Sequence, residues 1–292
     1  MATHFTIERE GRAFRARADG GPAFFVGYQT SYEDKASGAD FEGLYNVPSK
    51  AIPKLVYAPA QARPTYGFWA DFVGPTARCE GGNYLTLNTY DRARFTWGFG
   101  QFAAHVPDGD FIQFFQNLLG RPEARDYFPN LIVKAGRIHK ETNGVLTRLE
   151  TEDSTGPLMD YLNPSTGAVE DAEVIAAAKL IHWTTEFPEA RTLQVHHMIG
   201  AFRRLMVEAD KRLNLDGQPA DICCVVCDIR HQGRAKFAAM QAALNTSKPL
   251  AELLKLGSIS YPGRIKALKD ALAAADGQFK GVTWNRQTGD FN

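Results

Sequence analysis

The amino-acid sequence predicts an α+β fold, mainly helical, whose β component is antiparallel hairpins. Residues Phe5 to Glu10 and Phe14 to Ala18 alternate apolar and polar on either side of Gly11-Arg12, the pattern of an opening hairpin. After the Asn163-Pro164 turn the chain instead carries helical spacing almost throughout. A length of 292 residues suffices for one large or two ordinary domains with substantial cores.

The elements follow in order. From Gly38 to Pro64 the prolines Pro48, Pro53, Pro59 and Pro64 fall without a sustained period, which predicts an irregular surface connection and a boundary near Pro64. The expected division is a β-rich extension of unassigned role, residues 1–64, and a principal domain, residues 65–292. Trp69, Phe72, Val73 and Thr76 recur at helical spacing, and Gly74-Pro75 kinks or divides that helix, since an interior proline costs about 3 kcal/mol. Tyr84 to Thr89 and Arg94 to Phe99 read as strands joined through Tyr90 to Ala93. Asp110 and Gln113 form a capping-box pair ahead of Phe111, Phe114, Phe115 and Leu118, with Gly120 as the stop and the phenylalanines as core. Asn143-Gly144 supplies a tight hairpin turn. The remaining helices are 170–183, 189–213, 220–232 ending at Gly233, 234–244 and 261–275.

Composition excludes several classes. Thirty-three basic and thirty-three acidic side chains balance, so no whole-chain field draws the protein to nucleic acid or anionic lipid. The longest apolar run, Ile222 to Cys227, is far short of the roughly 18–20 residues of a membrane helix. Met1 to Arg12 lacks the apolar core of a secretory signal, which predicts synthesis in the cytoplasm. Four cysteines, three of them within Cys223 to Cys227, predict reduced and mostly buried thiols.

The stretch that carries chemistry runs from Cys79 to Phe102. Glu80 falls on the helical face of Trp69 and Val73 if that helix continues, and desolvation there favours the protonated carboxyl. Asp91 falls among polar turn residues with Arg92 and Arg94 near in sequence, surroundings that favour the charged form. Glycosidic cleavage needs this asymmetry: one proton donor for the leaving oxygen, one carboxylate to activate water or stabilise the cationic transition state. Thr96 offers a hydroxyl to orient that water, and Gly98 and Gly100 let a polymer approach the backbone.

This ordered set, Glu80-Gly81, Asp91 and Thr96-Trp97-Gly98-Phe99-Gly100, resembles the phage-type lysozymes of the lysozyme-like superfamily. It is similar also to the superfamily's chitosanases, through Asp91, Phe95-Thr96, Gly98 and Gly109-Asp110. The resemblance covers about 30 residues. It implies a two-lobed, mainly helical lysozyme-like fold with a small hairpin sheet lining a polysaccharide cleft. It further implies Glu80 as general acid, Asp91 as second carboxylate and Thr96 as its water-positioning partner, with no cofactor. Tyr90, Gln101, His105, Asp228, Arg230 and His231 join Gly98 and Gly100 as candidate substrate contacts. The acids lie on separate elements, which predicts a carboxyl separation of about 6.5–9.5 Å and inversion. Peptidoglycan is the expected substrate, since a balanced charge gives no steering toward polycationic chitosan. Action on the cell wall after release or delivery follows, as for an endolysin or a delivered bacteriolytic toxin; the alternatives are a chitosanase-like hydrolase and a non-catalytic wall-binding module.

Competing signals weigh less. Gly98 to Ala103 fits G-x-G-x-x-A, but Pro107, Asp108 and Gly109 break the chain where the phosphate-binding helix belongs. Cys224, Cys227 and His231 have partial zinc spacing that Cys79 could complete, yet those three share a helix face amid Ile222, Val225 and Val226 that reads as core. Of the adjacent His196 and His197, one is expected to pack and the other to line the cleft.

Overall fold

The structure, a computed structural model, describes residues 2–35, 37–47 and 49–292, so Pro48 of the proline series lies outside the described residues. Its strands are β1 (Phe5–Glu10), β2 (Ala13–Ala18), β3 (Phe24–Asp34), β4 (Ala39–Tyr45), β5 (Leu87–Asn88), β6 (Thr96–Trp97), β7 (Phe102–Ala103), β8 (Leu131–Lys134), β9 (Arg137–Thr142), β10 (Val145–Arg148), β11 (Trp284–Asn285) and β12 (Asp290–Phe291). Its helices are α1 (Pro59–Tyr66), α2 (Phe68–Phe72), α3 (Gly74–Cys79), α4 (Asp110–Leu119), α5 (Ala124–Tyr127), α6 (Gly156–Leu162), α7 (Asp171–Glu186), α8 (Pro188–Leu213), α9 (Ala220–Gln232), α10 (Phe237–Leu244), α11 (Pro249–Leu253) and α12 (Pro262–Phe279). Helices with antiparallel sheets make this an α+β chain. No helix among the described residues is long and apolar enough to cross a membrane.

The chain gathers into two units. The first takes the residues up to Val56 together with Asn83–His197, the second Tyr57–Gly82 with Met198–Asn292. The expected division into 1–64 and 65–292 cuts elsewhere, because β5, β6 and β7 complete the sheet that β1–β4 begin.

In the first unit β1 to β7 form an antiparallel sheet in sequence order. The opening hairpin is as expected, pairing Phe5 with Ala18 through Glu10 with Ala13. The segment expected to be irregular holds β4, paired with β3 from Tyr28–Tyr45 to Asp34–Ala39. The expected strands at 84–99 shrink to the two-residue β5 and β6, the rest being turn. Helix α7 packs on β1, β2 and β3. Helix α4 lies where its periodicity puts it, with Phe111, Phe114 and Phe115 fully buried against Phe95, Phe102 and Phe128. The capping box does not form: Gly109 is the N-cap and Gln113 donates to the Asp108 carbonyl at 2.7 Å. Asn143 and Gly144, at φ 51° and 78°, turn β9 into β10.

In the second unit the Trp69 helix divides as Gly74-Pro75 requires, α2 ending at Phe72 and α3 starting with Pro75 in its first turn, where no N–H is missed. Helix α1, also within the segment expected to be irregular, begins on Pro59 for the same reason. Trp69, Phe72, Phe202, Phe279, Trp284 and Phe291 form an aromatic core. Trp69 donates its indole N–H to Asp290 at 2.8 Å. Helix α12 packs on α3, and α9 ends at Gly233 with φ 72°, a left-handed cap.

Candidate functional site

Glu80 caps the C-terminal end of α3 and is followed by Gly81 and Gly82 at φ 92° and 66°, so the chain turns sharply behind it. Because α2 and α3 are separate pieces, Glu80 does not share an apolar face with Trp69 and Val73. Its side chain, 17% exposed, meets polar partners instead: Oε1 accepts from the Arg264 guanidinium Nη1 at 2.6 Å and lies 3.8 Å from His231 Nε2. The desolvated, uncompensated carboxyl expected at Glu80 is thereby corrected to an ion-paired one.

Arg264 is itself held. Its Nη2 donates to Asp228 Oδ1 at 2.8 Å, and Asp228 Oδ2 accepts from Arg234 Nη1. The side chains of Asp228 and Arg234 are wholly buried. Burial pushes the Asp228 carboxyl up, but Arg264 and Arg234 outweigh it and hold the group below its usual range. Arg234 also donates to the Leu256 carbonyl at 3.1 Å and to Gln232. Glu80, Arg264, Asp228 and Arg234 therefore form one chain of charge-assisted bonds from the half-covered carboxylate into the core.

This overturns two expectations. Asp228 belongs neither to a solvated helix end nor to a sugar-contacting cluster; both its oxygens are taken by arginines. Arg230 lies 4.4 Å over the Phe237 ring and 3.7 Å from Glu208, so it is engaged away from Glu80. His231 alone of that group reaches Glu80, resting 5.5 Å from the Phe202 ring. Sequence reasoning missed Arg264. A cation in the first turn of α12 opposes the helix dipole, and that misfit was the available signal of a buried acidic partner.

The cysteines pack as expected. Cys224 and Cys227 are fully buried, Cys224 Sγ lying 3.4 Å from the Phe72 carbonyl and Cys227 Sγ 3.8 Å from Met206 Sδ. Burial pushes the Cys79 thiol up to about 12, with Asp228 adding to it.

The remaining candidates lie in the first unit. Asp91 closes the β5–β6 turn, its Oδ1 accepting from the Ala93 N–H at 2.8 Å and its Oδ2 from Asn88 Nδ2 at 2.9 Å. The arginines expected to surround it pair elsewhere: Arg92 with Asp34, and Arg94 with Asp160 at 2.7 Å. Thr96 is buried in β6, opposite Asn88 and Ala103. Gly98 has a packing reason rather than a substrate one, for a Cβ there would lie 2.2 Å from Gln194 Oε1. Gly100 is buried, and Gln101 folds back so that its Nε2 donates to the Gly98 carbonyl at 3.0 Å. His105 is exposed beyond β7, and Tyr90 packs against Tyr45 and Tyr32. His197 is buried with Nε2 3.0 Å from Asn117 Nδ2, while His196 is exposed. A buried acid unforeseen in the sequence, Glu173, takes a hydrogen bond from the Thr89 hydroxyl, and burial pushes its carboxyl up to about 7.

Comparison with protein-family models, with curated proteins and with solved structures finds no match to this chain.

Proposed function

We propose that the chain is a lysozyme-like glycoside hydrolase acting on the glycan strands of peptidoglycan, with Glu80 as general acid. The observation that supports this reading is the mounting of Glu80. A carboxylate at a helix end, partly open to solvent, is fixed through Arg264 by a wholly buried Asp228, an arrangement that costs desolvation and serves orientation. Arg264 bonds Oε1, and His231 Nε2 stands 3.8 Å from the same oxygen, so the carboxylate is held from one side.

Asp91 is the second carboxylate in this reading. Each of its oxygens takes one hydrogen bond and keeps a lone pair, so the turn that it closes also holds it still. Thr96, on the strand leaving that turn, positions the water that Asp91 activates.

Purified peptidoglycan and chitosan digested in parallel by the parent and by Glu80→Gln test this. Clearing of peptidoglycan by the parent, lost at least about 100-fold in Glu80→Gln, is the expected result. Equal clearing by both removes Glu80 from the mechanism, and clearing of chitosan alone moves the substrate class. The anomer first released, read by proton NMR, checks the inverting assignment.

A further inference from the structure

In an antiparallel pair, residues directly opposite stand on the same side of the sheet, as do residues two apart along a strand. β3 and β4 pair Tyr28 with Tyr45, Thr30 with Gly43 and Tyr32 with Phe41. Four aromatic side chains thus stand on one face. Asn88 of β5 lies opposite Tyr45, and two residues on, Tyr90 adds a fifth. Its ring centroid lies 5.8 Å from that of Tyr45 and 6.3 Å from that of Tyr32, at 83° and 61°. Gly43 makes room for this, since a Cβ there would meet the Thr89 carbonyl at 2.6 Å.

The face meets the first unit's core at one edge, where the Tyr28 ring centroid lies 4.7 Å from that of the buried Phe25, and is otherwise open. Tyr28 and Tyr32 are 44% and 45% exposed, among the most open aromatic side chains of the chain, and Phe41, Tyr45 and Tyr90 are half-buried. Leaving this much ring surface in water forgoes burial that a folding role would have taken. Tyrosine combines a flat apolar ring with a hydroxyl edge, and the cluster presents both. A pyranose ring matches that pairing: its axial C–H bonds form an apolar side that lies on an aromatic face, and its hydroxyls bond phenols at the rim. The cluster also runs directly into the β5–β6 turn, Tyr90 being the residue before Asp91.

We propose that the Tyr28, Tyr32, Phe41, Tyr45 and Tyr90 face binds successive sugar rings of a glycan strand, extending substrate contact from the Asp91 turn along the β3–β4 hairpin. This rests on the hydrolase reading for the identity of the glycan, though binding itself does not require turnover. The hairpin from Thr30 to Gly43 then has a role: it carries the aromatic rail.

Retention on insoluble peptidoglycan is measured by co-sedimentation for the parent and for Tyr28→Ala, Tyr32→Ala, Tyr32→Trp and, as a control off the face, Val145→Ala, each checked for fold by circular dichroism. Both alanine variants are expected to bind roughly fivefold more weakly, with Tyr32→Trp and Val145→Ala near the parent. Alanine variants that fold and bind like the parent overturn the proposal. So does a self-association of the parent, seen by sedimentation velocity without glycan, that Tyr32→Ala abolishes. Cleavage is scored separately with Glu80→Gln: tyrosine-dependent retention by a parent that cleaves nothing refutes the hydrolase reading and leaves the binding face standing.

Discussion

Glu173 and Asp228 are both carboxyls with no solvent access, one in each unit, and the protein solves the same problem in opposite ways. Asp228 is matched by two arginines and stays charged. Among the described residues no cation meets Glu173: the Thr89 hydroxyl donates to one oxygen, and hydrogen bonds from Thr89 and from the Leu44 and Glu170 backbone lower the carboxyl less than burial raises it. Burial therefore dominates, and the Glu173 carboxyl rises to about 7 while that of Asp228 falls. A buried carboxylate stays charged where cations offset its desolvation, as Arg264 and Arg234 do for Asp228; a buried acid without them is pushed toward neutrality.

The largest effect expected from breaking this contrast is at Asp228. Asp228→Asn leaves Arg234 and Arg264 as buried cations without their counter-charge and is expected to cost about 3–5 kcal/mol in urea unfolding. On the proposed function, glycan cleavage falls with it, because Arg264 loses its Asp228 partner and with it the hold on Glu80. Replacing the triad together, as Asp228→Leu with Arg234→Met and Arg264→Met, should cost less than the single change if the network serves orientation more than stability. A single variant within about 1 kcal/mol of the parent would mean that Asp228 does not organise this unit.

Glu173 sharpens the contrast through pH. Its proton is held more tightly in the folded state, about 7 against an ordinary 4.5, so its contribution is intact below pH 4.5 and is lost as pH rises through 7. The step corresponds to about 3 kcal/mol. Asp228 runs the other way, since its depressed carboxyl contributes above its ordinary 3.8 and is lost in acid. Urea titrations from pH 4.5 to 8 compare the parent with Glu173→Gln, and the parent should lose stability relative to the variant as pH rises across that window. Identical slopes for the two proteins would place the Glu173 carboxyl back in the ordinary range.

Neither behaviour was legible in the sequence, and the reasons differ. Glu173 lies in the first turn of α7 beside Asp171, where acids suit the helix dipole, so nothing local marks it as buried. Asp228 resembles a solvated helix end because its partners lie elsewhere: Arg264 stands 36 residues from Asp228 and 184 from Glu80. Elements set by local rules were readable, among them the β1–β2 hairpin, the Asn143-Gly144 turn, the division at Pro75 and the stop at Gly233. Strand β4 was not, since Asp40, Glu42 and Gly43 blur its alternation and its hydrogen bonds come from β3. The position of Glu80 at a helix end before two glycines was readable; its ion pair was not.

A third buried polar group, uncharged Gln194, sets the reference for both acids. Its Nε2 donates to the Tyr84 carbonyl at 3.1 Å and its Oε1 accepts from the Phe99 N–H at 3.2 Å, so it is buried at no cost in charge. Gly98 is the residue that leaves it room. Gly98→Ala combines a left-handed φ of 77° with a Cβ 2.2 Å from Gln194 Oε1, so Gln194 must move and both bonds loosen. The expected cost is about 2 kcal/mol, from backbone strain and displaced packing together. The strain belongs to the backbone and the displacement to Gln194, so a cycle with Gln194→Ala separates them. The double variant should cost less than the two singles summed, with about 1 kcal/mol of strain persisting. Strict additivity would mean that Gly98 is needed for its φ alone. A rise in KM at unchanged stability would return Gly98 to the role of letting a glycan approach the backbone.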